Sequence, residues 1–193
     1  MVQKATLHRF RQCWLYTTLI LALFFSSLGL PYSPAMALDG RRGATDSGMR
    51  LEKRIEDTLV DLRIEVIPVK DWKESRLYEE PDLLVAIKRA PYVNLYGGRS
   101  QVEFLLINGG RQLMIEAKRQ MVPGSNDEKL AWVYLTAKNA YPDREYLLVI
   151  EGDGWRPGAK EWIKRRSEET PGFHVVSPEE LEGWIDEWRS PQE

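Results

Sequence analysis

Two apolar, β-favouring runs, residues 101–107 and 111–118, are separated only by Asn108-Gly109-Gly110. Asparagine and glycine supply the left-handed backbone that a tight reversal needs, so the pair reads as a β-hairpin. A second apolar run, EYLLVI at 145–150, is unbroken. Such a run suits a strand covered on both faces, so the hairpin belongs to a sheet with helices packed on each side.

The helices are written between these strands. Leu51, Ile55, Leu59 and Leu62 recur at helical spacing behind Ser47, a candidate cap. Ser125-Asn126-Asp127-Glu128 has the form of a capping box before Leu130, Val133, Tyr134 and Ala137, and that helix stops before Pro142. Ala159, Trp162 and Ile163 mark another helix. The last opens at Ser177-Pro178-Glu179-Glu180 and buries Leu181, Trp184, Ile185 and Trp188. Short strands are expected at 64–69, 83–87 and 173–176, with a polar loop over 70–82. The expected fold is α/β, a mixed central sheet flanked by helices, and the tryptophans serve packing.

A hydrophobic leader precedes this domain. Residues 1–11 are basic, 12–30 carry no charge, and Ala35-Met36-Ala37 follows a Pro-Ser-Pro stretch. This is the layout of a secretory signal, and the charge-free run is near the length of a membrane span. Residues 1–37 are therefore expected to direct export or anchoring, with 38–193 as the folded domain. A start at Met36 or Met49 would instead give a cytoplasmic protein holding every later motif.

With 193 residues, 43% of them hydrophobic, the chain suffices for one domain plus appendages. One cysteine, Cys13, and two histidines, His8 and His174, exclude a disulfide scaffold, a Cys/His zinc site and most histidine-dependent catalysis. The leader holds three of the 27 basic residues and none of the 29 acidic ones, leaving 24 against 29 in the domain. That balance argues against a protein that coats nucleic acid, though a local groove or a metal could still bring phosphate to it.

Chemistry must then run on carboxylates, lysines and arginines. Strand side chains alternate, so Glu116 and Lys118 share one face, joined by Gln120 if the strand persists that far. Glu103 lies on the partner strand. Any hairpin loop of even length puts Glu103 and Glu116 on one face, directly opposite or diagonal. Two readings of this arrangement are open from spacing alone. One is a pair of carboxylates sharing a hard cation, with Lys118 neutralising charge that builds on a phosphate. The other is a set of solvated strand-end charges with an ordinary cross-strand ion pair.

At these residues the chain resembles the PD-(D/E)XK nuclease superfamily, and the likeness spans about residues 47–155. It is carried by Ser47-Gly48 with Glu52, by residues 101–106 around Glu103, by Met114-Ile115-Glu116-Ala117-Lys118-Arg119-Gln120, and by Gly124-Ser125. The resemblance implies a restriction-endonuclease-like fold and a nuclease using Mg2+, with Mn2+ as a substitute, on nucleic acid, DNA first. Glu103 and Glu116 stand where the family's metal-binding acids stand, Lys118 is the catalytic lysine, and Gln120 is the polar residue that often follows it. Glu52 would be the helix carboxylate that many members add to the metal. Val102-Glu103 replaces the family's proline-aspartate pair, and the literal Pro81-Asp82 lies outside the hairpin as a decoy. Arg99 and Lys129 are candidate phosphate contacts, as are Tyr92 and Tyr96 beside Gly97-Gly98. Cutting both strands would need two active sites, which suits a homodimer.

Overall fold

The computed structural model describes residues 34–80, 82–141 and 144–190, with side chains from residue 48 onward. The leader's charge-free run lies outside these residues. Among the described residues no helix is long and apolar enough to cross a membrane. The account below concerns the compact unit from residue 46 onward.

The elements follow in the order α1 (Pro34–Asp61), β1 (Glu65–Pro68), a 3-10 turn (Val69–Asp71), α2 (Arg76–Glu79), β2 (Leu84–Val93), β3 (Arg99–Asn108), β4 (Arg111–Arg119), α3 (Asp127–Ala140), β5 (Glu145–Glu151), α4 (Pro157–Glu169), β6 (Phe173–Val176) and α5 (Leu181–Arg189). The six strands form one sheet in chain order. β1–β2, β4–β5 and β5–β6 are parallel, while β2–β3 and β3–β4 are antiparallel. The expected mixed sheet with helices on both faces is therefore present.

Each face carries its own apolar cluster. On one, Leu130, Val133 and Ala137 of α3 and Ile163 of α4 pack on Val85, Ile87, Ile107, Met114, Tyr146 and Leu148. On the other, Leu51, Ile55 and Leu59 of α1 and Leu181, Ile185 and Trp188 of α5 cover Ala86, Phe104, Leu106, Leu113, Ile115, Leu147 and Val149. Consecutive residues of β5 thus feed opposite clusters, and all of 146–150 is buried. This is why EYLLVI carries no polar alternation. Each fully buried leucine or isoleucine contributes roughly 1.5–3 kcal/mol of transfer free energy.

Several elements differ from expectation. The segment 70–82 is not wholly loop, because α2 makes one turn there and Arg76 bonds Glu80 at 2.8 Å and Glu65 at 3.1 Å. α1 starts at Pro34 and not behind Ser47. β2 continues six residues past the expected end, through Pro91 to Val93. Its pairing with β1 stops at Lys88, so beyond that point β2 is an edge strand, where a missing N–H costs no ladder bond. No capping box forms at α3: Asn126 precedes the helix without a side-chain cap. Its backbone N–H is instead taken by the side chain of Gln120, at 3.1 Å. In α5, residues 177–180 form a turn before the helix, held by the Ser177 N–H donating to Glu180 Oε2 at 2.7 Å.

Arg89 interrupts the regular alternation of β2. Its backbone is left-handed, at φ 57°, which is uncommon for a residue with a Cβ. Lys88 and Arg89 consequently both reach α1, Lys88 bonding Glu56 at 2.7 Å and Arg89 bonding Glu52 at 3.0 Å. Ala90, the next residue, joins the opposite cluster.

Candidate active site

The β3–β4 ladder pairs Asn108 with Arg111 and Phe104 with Ile115, so the reversal is the two-residue loop Gly109-Gly110. Gly109 stands at φ 57°, the left-handed first loop position that favours glycine. The paired register ends at Phe104–Ile115, one residue short of the two acids, and Glu103 and Glu116 are nonetheless neighbours whose carboxyl groups interact directly. The Ala117 N–H accordingly points at Glu103 Oε2, at 3.4 Å.

Lys118 lies two residues along the same face as Glu116. Its ammonium donates to Glu116 Oε1 and, at 3.1 Å, to the carbonyl of Ala117. Little of the group meets solvent: the side chains of Glu116 and Lys118 are 12% and 19% exposed.

Burial, and after it the negative charge of Glu116, push the Glu103 carboxyl up to about 9, with Lys118 pulling the other way. Burial alone would lower the Lys118 ammonium. The two neighbouring carboxylates outweigh it and hold the lysine above its ordinary range. Lys118 is therefore a fixed positive charge at neutral pH.

Two tyrosines complete the surroundings. Tyr92, in β2, is raised by burial and by the charge of Glu116. Tyr146, in β5, is nearly inaccessible and is raised well above its usual range by burial and then by the same carboxylate. Both hydroxyls stay neutral beside the acids. No sequence signal marks Tyr146, because it sits inside an apolar run that reads as core.

The remaining candidates go to other places. Glu52 is held by Arg89 and is not gathered with the two strand acids; among the described residues no group of three histidine, cysteine, aspartate or glutamate side chains is arranged to hold a metal. Gln120 is buried, but its amide is committed to the scaffold. It donates to Gly154 O at 2.8 Å and to Asp127 Oδ1 at 3.1 Å, and it accepts the Asn126 N–H. β4 ends at Arg119, so the alternation that would put Gln120 beside Lys118 stops one residue short.

Arg99 opens β3 and Lys129 lies in the first turn of α3; both are exposed. Asp82 is exposed in the turn before β2, whose first residue pairs with Asn108, at the opposite end of β3 from Glu103. Pro81 lies outside the described residues. His174 is half-buried against Trp184, with ring centroids 4.9 Å apart, and burial lowers its pKa, as suits a packing role.

The residues present fit a hard divalent cation. Glu116 Oε2 is buried without a hydrogen-bond partner, and Glu103 is crowded by a like charge that a cation would relieve. Mg2+ is commonly held by one or two carboxylates with waters and substrate phosphate filling the other positions, so two acids suffice.

The profile of the PD-(D/E)XK nuclease superfamily domain matches residues 43–184. The chain belongs to the PD-(D/E)XK nuclease superfamily. That superfamily consists mostly of nucleases, which commonly use Mg2+. No curated protein matches the sequence. Among solved structures, the chain is similar to a protein of unknown function, AF1548, at 13% identity and TM-score 0.36, covering 53% of each chain. It is similar to SfsA of Pyrococcus furiosus, solved in complex with Ca2+, at 15% identity and TM-score 0.34, covering 54% of this chain and 53% of that one. It is also similar to VC1899 from Vibrio cholerae at 16% identity and TM-score 0.37, covering 60% of this chain and 30% of the other. The chain thus spans about half the length of the first two and under a third of the last.

Proposed function

We propose that this PD-(D/E)XK protein is a metal-dependent nuclease that hydrolyses phosphodiester bonds in DNA. The observation that carries the reading is the half-buried, interacting Glu103–Glu116 pair with Lys118 bonded to Glu116 and one Glu116 oxygen left without a partner. Structural charge pairs at strand ends do not need such burial.

Glu103 and Glu116 would hold Mg2+. When bound, the ion supplies Lewis-acid polarisation of a phosphoryl oxygen and a water acidified enough to attack. Lys118, kept protonated by the carboxylates, acts as a charged donor to the phosphate and not as a proton acceptor. Its N–H groups would meet the negative charge that grows on the nonbridging oxygens.

The test is cleavage of plasmid and of labelled oligonucleotides by the full chain with Mg2+, with Mn2+ and with chelator. Cleavage that needs the metal and disappears in Glu116→Ala supports the reading. If the protein binds nucleic acid but cuts none under any of these conditions, it is a binding module on the nuclease fold.

A further inference from the structure

We propose that Tyr96 and Trp132 form a stacking platform for an unpaired nucleobase beside the candidate active site, which selects nucleic acid with single-stranded ends or junctions. This inference rests on the nuclease reading for its consequence and on separate residues for its geometry.

Half of the exposed large apolar side chains among the described residues fall in two segments that leave the site. Val93 and Tyr96 follow Tyr92, and Met121 and Val122 follow Lys118. Tyr96 is 83% exposed although its ring lies against Trp132 of α3, with centroids 4.7 Å apart and planes inclined at 37°. One face of the tyrosine is thus backed by indole and the other is open. A π-face presented in this way accepts a base of any identity.

The presentation is built. Asn94 Oδ1 accepts the N–H groups of Tyr96 and Gly98, each at 3.0 Å, and Asn94 Nδ2 donates to Ser100 Oγ at 3.0 Å. The backbone closes the same turn through Asn94 N to Gly98 O at 2.8 Å and Gly97 N to Asn94 O at 2.9 Å, with Gly97 at φ 78°. At the base of the tip, the Val93 N–H donates to Tyr141 Oη at 2.6 Å and Tyr92 meets the Tyr141 ring edge-on at 5.8 Å. The tip is therefore held through Tyr96 against Trp132 of α3 and through Tyr92 and Val93 against Tyr141, the residue that follows α3. Its open aromatic lies four residues from Tyr92, which senses the charges of Glu116, Lys118 and Glu103.

Arg99 and Lys129 are exposed on the same two elements, Lys129 one helical turn before Trp132. They can take the phosphates on either side of a stacked base. Glu128 shares that turn, so charge alone does not specify the partner. The aromatic pair does.

The experiment is fluorescence anisotropy with the full chain and Ca2+, comparing a blunt duplex with the same duplex carrying a short DNA or RNA overhang. The parent should bind an overhang more tightly than the blunt end. Tyr96→Ala should lose roughly fivefold or more of that preference, and Tyr96→Phe should keep it. The proposal is overturned if Tyr96→Ala retains the parent's preference, or if the parent shows none. It is also overturned if Tyr96→Ala changes only the sedimentation of the chain, which would assign the tip to a second copy. Parent protein that prefers overhangs through Tyr96 yet never cleaves would sink the nuclease reading and leave the platform standing; cleavage without any dependence on Tyr96 would do the reverse.

Discussion

Glu103 lies beside Glu116 in the β3–β4 hairpin, and burial together with that neighbour pushes its pKa up to about 9, from an ordinary value of 4.5. The folded chain then holds a proton on Glu103 through a range where the unfolded chain has lost it. Stability from this group is full below about pH 4.5 and is lost as pH rises through about 9. Metal-free protein melted in chelator should therefore lose stability across that window. Glu103→Gln should remove this part of the slope and melt higher than the parent at alkaline pH. Parallel pH profiles for parent and variant would show that Glu103 titrates normally.

Lys118 and Glu116 act on different steps. Lys118→Ala removes the fixed charge beside the acids, so turnover should fall by roughly a hundredfold or more while divalent-ion affinity is largely kept. Glu116→Ala should lose both. Calorimetric titration with Mg2+ or Mn2+, run beside a cleavage assay and a circular-dichroism spectrum, separates the two variants. Equal metal affinity for parent and Glu116→Ala would remove Glu116 from the ligand set.

The nearness of Glu103 and Glu116 was legible in the sequence because Asn108-Gly109-Gly110 bounds a two-residue loop that brings the two strands side by side. Strand alternation misplaced Gln120, since nothing local shows that β4 ends at Arg119. Gln120 instead takes the Asn126 N–H, and the helix begins at Asp127, which leaves Ser125 one residue too early to cap it. The two-sided burial of β5 was readable from its unbroken apolar run. The left-handed Arg89 was not, because nothing local marks the point where the pairing of β2 with β3 skips a residue. Tyr146 joined the site unannounced for a similar reason: its neighbours come from β2 and β4.

Arg89 also decides the fate of Glu52. The pair is bonded at 3.0 Å with Arg89 56% exposed, so it contributes at most about 1 kcal/mol. Glu52→Gln should accordingly change stability little and leave divalent-ion affinity within about threefold of the parent, well under 1.4 kcal/mol, since each tenfold in affinity is about 1.4 kcal/mol. A loss of metal affinity comparable with that of Glu116→Ala would show that Glu52 leaves Arg89 to join the two strand acids.

The scaffold behind Lys118 depends on two glycines where the chain crosses itself. A Cβ on Gly152 would lie 2.2 Å from the carbonyl oxygen of Gln120, and one on Gly154 would lie 2.3 Å from that of Val122. Gly152 also stands at φ 103°, which a side chain rarely allows. The obstacle in both cases is backbone and cannot rotate away. That backbone is bonded across the crossing, by Gln120 N to Glu151 O at 2.9 Å and Gly154 N to Gln120 O at 2.8 Å. Gly154→Ala must therefore part the end of β4 from the turn after β5, and should cost about 1–3 kcal/mol or more. Gly152→Ala should cost at least as much. Gly183, inside α5, meets nothing within 4 Å of an added Cβ, so Gly183→Ala should stabilise by about 0.5–1 kcal/mol through helix propensity alone. Urea unfolding of the three variants checks the order. Because the crossing positions Lys118, Gly154→Ala should also cut more slowly under conditions where it remains folded, whereas Gly183→Ala should cut at the parent's rate; equal rates would separate the crossing from the site.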